Sequence, residues 1–404
     1  MNTFYWYDYE TFGLSPKVQR IAQFAGIRTD ENLNVLDEHM FYCKPTHDSL
    51  PAPEACAVTG ITPQLCEKKG FIEHEFIKKI HDEFSKPGTC IVGYNSIAFD
   101  DEYTRHTLFR NFLDPYSWHW QNGNARWDIL NVARFCYAHK EEGSLNWVKN
   151  ERNRPIFKLD RLAPANHIEH TNAHDAMADV RATIGIARII KDTQPKFFNY
   201  ALSLNDKKEV AQLVKPLHPM LLTTSSFGYK SSFTRLVTSI CNHPEYNDRS
   251  IVFNLNQDPE IFLELESEEL KTLTFSKKSD LPKGIEKLDL SELVYNKSPM
   301  FVCSPNSDNF KLSPILIEKF ELNLDKCLKN LRFIQKNSQS IEDKVRAIYR
   351  NDSDREPSRD VDQSIYDGFI SNNDRQICNE IQNLSPTQLS EFVPEFEDRR
   401  LAKL

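Results

Sequence analysis

The sequence predicts an α/β domain at its amino-terminal end, followed by a β-rich domain and a helical region. Strand-like and helix-like segments alternate up to about residue 195, a pattern typical of α/β domains. From about Pro195 the pattern changes to short β-like pieces punctuated by Gly, Pro and Asn, and helical patterns return at Ile315. At 404 residues the chain is long enough for several cores. We therefore expect three domains, covering residues 1–195, 196–350 and 351–404.

The elements of the first domain follow from hydrophobic periodicity and from turn and capping residues. Thr62-Pro63 predicts a helix start, because threonine caps free N–H groups and proline fits a first helical turn. The predicted strands are Phe4–Tyr7, Arg20–Thr29, Asn34–Cys43 and Thr89–Asn95. The predicted helices are Ile72–Phe84, Tyr103–Phe112, Asp128–His139 and Asp175–Ile190.

The later elements are predicted in the same way. Strands are expected at Pro219–Thr224 and Ser250–Leu255, and helices at Ile315–Phe320, Leu324–Gln335 and Ile341–Tyr349. The segment Arg350–Asp360 is charged and poor in apolar residues, which predicts a linker. A further helical region is expected from Asp362 to Leu404.

The first acidic motif lies at the end of the first predicted strand. Asp8 and Glu10 are two residues apart and precede the turn signal Gly13-Leu14-Ser15-Pro16. Because residues two apart in a strand face the same side, these two carboxylates project together. Paired carboxylates suit Mg²⁺ or Mn²⁺, although a solvated strand end would have the same sequence.

The second acidic motif follows the strand predicted at Thr89–Asn95. Asp100, Asp101 and Glu102 come where a helix is expected to begin. Acidic residues are favoured there by the helix macrodipole, so plain capping is an alternative to metal binding.

The third motif combines a histidine with an aspartate at the start of a long helical pattern. His174 and Asp179 are five residues apart, which on a regular helix corresponds to about 500° of rotation, or about 140° of divergence. The two side chains therefore converge only if His174 precedes the regular helix. A capping or surface histidine is the alternative interpretation.

The three motifs together resemble the exonuclease motifs of the DEDD superfamily, in its histidine-containing branch. The matching segments are Asp-Tyr-Glu-Thr-Phe-Gly from residue 8, Gly-Tyr-Asn-Ser-Ile-Ala-Phe-Asp-Asp-Glu from residue 93 and His-Asp-Ala-Met-Ala-Asp-Val from residue 174. Within that branch the chain resembles the bacterial exonuclease I family, whose members degrade single-stranded DNA from the 3′ end. The likeness includes Thr59–Gln64, Arg110–Phe112, Asp114–Tyr116, Arg126–Asp128 and Tyr366–Phe369, and so spans nearly the whole chain.

The resemblance implies a ribonuclease-H-like exonuclease domain, an SH3-like β-rich domain and a C-terminal helical region. It also implies two-metal hydrolysis with two Mg²⁺ ions, or Mn²⁺, in DNA repair and recombination. Asp8 would bridge the ions, Glu10 and Asp179 would complete the first site, and Asp100 would hold the second. His174 would act as general base, and Asp101 is the rival of Asp100.

The resemblance further implies a groove for single-stranded DNA. Cations along the backbone and aromatic faces under the bases are the usual construction of such a groove. The candidate substrate contacts are Glu10, Arg105, Tyr116, Trp120, Arg134 and Lys158. Trp118 and Trp120 both belong to an aromatic cluster that is either a stacking platform or core. Lys158 occupies a position where the family often has arginine. A lysine there would contact phosphate as a point charge, whereas an arginine would bind it with two hydrogen bonds.

The C-terminal region is expected to be shortened, because the sequence stops at Leu404 where relatives continue through further helices. For that reason we expect less strongly that the protein forms a complete ring around the strand or is highly processive. Docking of the tail of a single-strand-binding protein is less expected as well. That tail stays a candidate partner, and a monomer is the default expectation.

Composition restricts the other classes of protein. The sequence has no apolar run long enough for a membrane span and no leader peptide, so we expect a cytoplasmic protein without membrane contact. The nine cysteines are scattered without a Cys-x-x-Cys pair, which predicts reduced thiols. The net charge of −8 is unfavourable for DNA, but binding follows the local field of a groove.

Two alternatives remain open at this point. A histidine-type DEDD exoribonuclease or a proofreading-type nuclease would carry the same motifs, because the metal chemistry serves either sugar. A non-catalytic protein that binds single strands would be expected to have lost an acidic ligand, and all four are present.

Overall fold

A computed structural model describes residues 3–170, 175–303, 312–350, 358 and 360–404. Up to residue 193 the strands are β1 (Thr3–Thr11), β2 (Ile21–Thr29), β3 (Val35–Tyr42), β4 (Thr89–Gly93), β5 (Ala125–Asp128), β6 (Val148–Lys149) and β7 (Pro155–Ile156). The helices of this part are α1 (Pro53–Thr59), α2 (Pro63–Lys69), α3 (Glu73–Phe84), α4 (Asp100–Arg110), α5 (Ile129–His139), α6 (Leu159–Ala165) and α7 (Ala176–Thr193).

The remaining strands are β8 (Pro219–Thr223), β9 (Thr234–Asn242), β10 (Arg249–Asn254), β11 (Leu290–Val294) and β12 (Met300–Cys303). The helices of this part are α8 (Pro195–Ser203), α9 (Lys207–Leu213), α10 (Ile261–Glu264), α11 (Ser267–Phe275), α12 (Pro314–Lys319), α13 (Leu324–Lys336) and α14 (Ser338–Tyr349). Two helices follow in the C-terminal region, α15 (Asn372–Asn383) and α16 (Pro386–Glu391).

The chain divides into two compact units. The first comprises Met1–Ile129, Lys158–Arg188 and Arg355–Leu404, and the second comprises Leu130–Phe157 and Ile189–Asp354.

A five-stranded mixed sheet organises the first unit, in the order β3-β2-β1-β4-β5. The central strand β1 pairs antiparallel with β2 and parallel with β4, so its residues are covered on both sides within the sheet. Its aromatic residues Tyr5, Tyr7 and Tyr9 pack with Phe24 and with residues of α3 in one hydrophobic cluster. This packing fixes the end of β1, where the first acidic motif lies.

The C-terminal region packs on α4 within the first unit. Phe109 of α4 forms a buried cluster with Ile365, Cys378 and Leu401. The Arg400 guanidinium lies over the Phe109 ring, 5.7 Å from its centroid, and donates to the backbone carbonyl of Ser364. The helix that begins with the second acidic motif is thus supported by residues near the end of the chain.

The second unit is built on a five-stranded antiparallel sheet in the order β11-β10-β9-β8-β12. Apolar residues of this sheet and of the helical end form one core, which includes Leu236, Phe253, Leu331 and Val345. The expected β-rich domain with a helical end is confirmed.

Most predicted elements of the first domain are confirmed within a few residues. Thr62 caps α2 by accepting from the Leu65 N–H, with Pro63 in the first turn, as its sequence indicates. Helix α4 begins at Asp100 itself, as expected from the second acidic motif and three residues before the helical pattern at Tyr103. Most of the predicted linker lies outside the described residues.

Several elements were not predicted, and β9 shows why. Its buried positions include Thr234, Thr238 and Ser239, which interrupt the apolar pattern that marks a core strand. These hydroxyls have partners inside the fold: Thr234 pairs with Thr223 at 2.8 Å between oxygens, and Thr238 donates to the His218 carbonyl. The other elements missed are β5, β6, β7, β11, β12, α1, α6, α8, α9, α10 and α11.

Two expectations from composition have structural counterparts. All nine cysteines lie among the described residues and all are free thiols. None of the helices within the described ranges has the length and apolarity that a membrane-crossing segment requires.

Candidate active site

The end of β1 presents two carboxylates to the same side of the sheet. Asp8 and Glu10 alternate with the buried rings of Tyr7 and Tyr9, which belong to the core on the other face. Glu10 is only 8% exposed, and the pairing of β1 with β2 becomes irregular directly after it. The strand therefore delivers both carboxylates together at the point where it leaves the sheet.

A third carboxylate reaches these two from the helix α7. Oxygen atoms of Asp8, Glu10 and Asp179 all lie within 4.8 Å of one another. Asp179 is in the first turn of α7, where the helix macrodipole favours a negative charge. Asp179 follows Asp8 by 171 positions in the chain, so only the fold brings the three residues together.

Asp100 is attached to the same strand through the backbone. Its Oδ1 accepts a hydrogen bond from the N–H of Tyr9, at 3.3 Å, and Tyr9 lies between Asp8 and Glu10. Asp100 is the first residue of α4 and is 4% exposed. Asp100 thus lies beside Asp8, Glu10 and Asp179 but does not belong to the group whose oxygens are all within 4.8 Å of one another.

A buried aspartate that sequence reasoning did not select shapes the loop before Asp100. The Asp128 carboxylate, at the end of β5, accepts from the backbone N–H groups of Asn95 at 2.9 Å and Ile97 at 3.2 Å. Asn95 has φ of 67°, a left-handed conformation that asparagine tolerates better than most residues. The segment Arg126-Trp127-Asp128 shows a likeness to the family, but sequence alone did not reveal this loop contact.

Asp101, the rival of Asp100, has different surroundings. Its Oδ1 accepts from the Tyr7 hydroxyl at 2.7 Å, and its Oδ2 pairs with the Arg126 guanidinium at 2.5 Å. Asp101 and Arg126 are both almost fully buried. A carboxylate that is already paired in this way suits a structural role, whereas Asp100 forms no ion pair with the described residues and lies near Asp8.

The electrostatics of the acidic group fit a divalent cation. Burial, followed by the charges of Asp179 and Asp175, raises the pKa of Glu10 from its ordinary 4.5 to about 8. Burial and the neighbouring carboxylates Asp100, Asp179 and Glu10 also raise the pKa of Asp8 well above its usual range. Carboxylates that repel one another in a buried site are stabilised in their charged form by a bound cation.

A second trio of possible ligands shows the contrast. Oxygen and nitrogen atoms of Asp37, His39 and Glu83 also lie within 4.8 Å of one another. Glu83, however, accepts from Lys86 at 2.6 and 2.7 Å and from Arg28 at 3.1 Å. Burial raises the pKa of Glu83, but these hydrogen bonds outweigh it and the pKa is lowered overall. Protein cations already neutralise this trio.

His174 lies outside the described residues. Another histidine, His170, contacts the acidic group: its Nε2 forms a short hydrogen bond with Asp179 Oδ1, and its side chain is 1% exposed. Sequence reasoning missed His170, because it precedes the regular helix and has no periodic relation to Asp179. The only available signal was the presence of two histidines shortly before the motif.

All the candidate substrate contacts except Arg134 lie in the first unit. Arg105 of α4 is 8% exposed, and its guanidinium lies over the Tyr116 ring, 5.6 Å from the centroid. Trp120 is 60% exposed, whereas Trp118 is 1% exposed and donates its indole N–H to the Pro115 carbonyl. Trp118 therefore belongs to the core, and Trp120 presents a free aromatic surface.

The other two candidates occupy different places in the fold. Lys158 is exposed in the first unit, at the residue that precedes α6. Arg134 lies on α5 in the second unit, where it donates to Asn131 at 2.9 Å and its guanidinium is 5.9 Å from the centroid of Phe157.

Comparison with known protein families gives matches over most of the chain. The Exonuclease family model matches residues 5–187, the Exonuclease I SH3-like domain matches residues 205–351 and the Exonuclease I C-terminal domain matches residues 359–404. Exodeoxyribonuclease I of Haemophilus influenzae is 41% identical over 406 residues, which covers 100% of this chain and 84% of that protein. A domain of this exonuclease type implies bound divalent metal ions.

Solved structures agree with the sequence comparison. The crystal structure of Escherichia coli exonuclease I in complex with a dA16 oligonucleotide has a TM-score of 0.94 and 39% identity, covering 100% of this chain and 85% of that chain. The zinc-bound form of the E. coli ExoI–ssDNA complex has a TM-score of 0.92 and 40% identity, with 100% and 84% covered. Sequence and structure thus lead to one conclusion: the chain belongs to the exonuclease I family.

Proposed function

We propose that the protein is a 3′→5′ exonuclease that degrades single-stranded DNA to 5′-mononucleotides and serves DNA repair and recombination. The observation that carries this proposal is the convergence of Asp8, Glu10 and Asp179 within 4.8 Å, with Asp100 bonded to the same strand. Family membership supports it, since relatives are named exodeoxyribonuclease I and one was solved with single-stranded DNA.

The four carboxylates are the proposed ligands of two Mg²⁺ ions, with Mn²⁺ as the alternative. Asp8 would contribute to both sites, Glu10 and Asp179 would complete the first, and Asp100 would hold the second. Oxygen-only donors of this kind are those that Mg²⁺ and Mn²⁺ prefer. When bound, such ions stabilise the charge that develops on the phosphodiester and lower the pKa of a bound water.

The protein's own side chains supply the remaining chemistry. His174 accepts the proton of the attacking water, which suits an imidazole because its ordinary pKa is near neutrality. Glu10 also lies against the terminal nucleotide. Arg105, Arg134 and Lys158 contact phosphates, and Tyr116 and Trp120 stack on bases, a combination that binds single strands without sequence preference.

The proposal also covers the domain boundaries, the location in the cell and the partners of the protein. The domain boundaries remain those predicted, at residues 195 and 350. The location is cytoplasmic, in keeping with a family of bacterial enzymes that act on DNA. The partner besides DNA is the tail of a single-strand-binding protein, and the protein acts as a monomer.

A digestion experiment tests the reaction, the polarity and the metal together. Labelled single strands blocked at the 3′ or the 5′ end are incubated with the protein in Mg²⁺ and in EDTA, beside duplex DNA and RNA of the same sequence. We expect mononucleotides only from single-stranded DNA with a free 3′ end, and only with metal. Asp8→Asn is the inactive control. Preferential digestion of RNA would instead support an exoribonuclease.

A further inference from the structure

A tyrosine of the C-terminal region reaches the helix that begins with Asp100. The hydroxyl of Tyr366 donates a short hydrogen bond to Oε2 of Glu102 on α4. The Tyr366 ring also packs edge to face with His106, one turn further along the helix, with 6.0 Å between centroids. The phenol O–H acts as donor, because an ionised carboxylate can only accept.

The other oxygen of the same carboxylate holds a candidate substrate contact. Glu102 Oε1 accepts from Arg105 Nη1 at 2.8 Å, and Arg105 Nη2 lies 3.5 Å from Nε2 of His119. The Tyr116 ring lies under the guanidinium. Glu102 thus connects Tyr366 to Arg105, with one carboxylate oxygen for each, and the Tyr366 hydroxyl also interacts directly with the Arg105 guanidinium.

The segment that carries Tyr366 is itself fixed to the first unit. Asp362 pairs with the buried Arg20 at 2.7 Å, and its backbone carbonyl lies 3.3 Å from Nδ1 of His106. Ile365 is buried against Phe109 of α4. Tyr366 therefore meets Glu102 from a backbone that is held at the residues directly before it.

We propose that Tyr366 is a positioning residue for substrate binding, which holds the Arg105 guanidinium both directly and through Glu102 and so aims it at a phosphate of the single strand. The inference rests on the proposed function, in which Arg105 contacts DNA. A guanidinium held by a carboxylate on its edge and by an aromatic ring on its face loses less conformational freedom when it binds a phosphate. Without the Tyr366 hydroxyl, Glu102 and Arg105 have more orientations to lose.

The test removes only the hydroxyl, with Tyr366→Phe, so that packing of the ring against His106 is retained. Binding of a 5′-fluorescein-labelled oligothymidylate is measured in EDTA by anisotropy, and KM and kcat are measured with Mg²⁺. We expect Kd and KM to rise about fivefold to tenfold, near the usual net contribution of one hydrogen bond, with kcat changed by less than about twofold. Glu102→Gln, which weakens the same link, is expected to give the same split.

A double-mutant comparison decides whether the effect passes through Arg105. In an Arg105→Ala background, Tyr366→Phe is expected to cause no further loss of binding. Additive losses, or an unchanged Kd in Tyr366→Phe alone, would overturn the inference. The matched control is Tyr295→Phe, which removes a tyrosine hydroxyl that bonds Ser250 in the second unit and is expected to leave binding unchanged.

The binding measurement separates this inference from the proposed function. A wild-type protein that binds the oligonucleotide but does not hydrolyse it would contradict the proposed reaction, while the coupling between Tyr366 and Arg105 would still be measured. A wild-type protein without affinity for the oligonucleotide would overturn both.

Discussion

The N–H of Tyr9 donates to the carboxylate of Asp100, so the strand that carries two acidic residues directly holds a third. Tyr9 is the residue between Asp8 and Glu10, and its ring is buried against the core. A shift of α4 along its axis would break this bond and move Asp100 away from the strand. The relative position of the acidic residues therefore depends on backbone as well as on side-chain contacts.

The first prediction separates the adjacent residues Asp100 and Asp101. Asp100→Asn is expected to reduce turnover by at least about 10²-fold, since metal ligands supply several kcal/mol of transition-state stabilisation. Asp101→Asn leaves the buried Arg126 without its charged partner and is expected to lower the free energy of unfolding by about 3–5 kcal/mol. Metal-dependent rates and urea unfolding of both variants measure the difference.

The opposite pattern would identify Asp101 as the ligand. In that case Asp101→Asn would lose turnover while its free energy of unfolding stayed near that of the wild type. The control for the unfolding measurement is Glu31→Gln. Glu31 is exposed and is distant in sequence from Asp100 and Asp101.

The sequence predicted the part of the site that depends on local geometry. Asp8 and Glu10 share a face because strands alternate, and this needs no knowledge of the fold. The choice between Asp100 and Asp101 depends on Tyr7 and Arg126, which approach from elsewhere in the chain. No periodicity in the sequence contains that information, and the family resemblance supplied the choice instead.

The same distinction applies to the fold. Elements with a regular apolar pattern, such as α13, were predicted closely, from Leu324 to within one residue of the observed end. Strand β9 was missed because its buried threonines have partners that only the tertiary structure provides. His170 and Asp128 were missed as site residues for the same reason, since each acts through a contact distant from any motif spacing.

The second prediction concerns pH in the absence of metal. The pKa of Glu10 is raised in the folded state to about 8, so folding favours its protonated form. This contribution to stability is present below about pH 4.5 and is lost as the pH rises towards about 8. The Tm in EDTA is therefore expected to fall over this range more steeply than it does with Mg²⁺, which stabilises the ionised carboxylates.

Glu10→Gln provides the control for that titration. The amide cannot ionise, so the difference in Tm between low and high pH in EDTA is expected to shrink in this variant. An unchanged pH dependence in Glu10→Gln would show that other groups are responsible. Proton release on Mg²⁺ binding, measured by calorimetry in two buffers of different ionisation enthalpy, is expected to increase as the pH falls below about 8.

The third prediction concerns His174. His174→Ala is expected to keep the affinity for single-stranded DNA and to lose about 10²–10⁴-fold in kcat, the usual contribution of a general base. Single-turnover rates and anisotropy separate the two quantities. His170→Ala is the informative comparison, because His170 bonds Asp179 and its loss should also weaken metal binding. Wild-type rates in His174→Ala would refute the role of general base.

The fourth prediction concerns salt and the exposed side chain of Lys158. Because phosphate contacts release counterions, affinity for single strands is expected to fall linearly on a logarithmic salt axis, despite the net charge of −8. Lys158→Ala should reduce the slope by about 0.7, the value for one contact on a single strand. Lys158→Arg should keep the slope and bind more tightly, since a guanidinium grips phosphate with two hydrogen bonds. A slope that is unchanged in Lys158→Ala would place this lysine outside the groove, and a flat salt response of the wild type would contradict a cationic groove altogether.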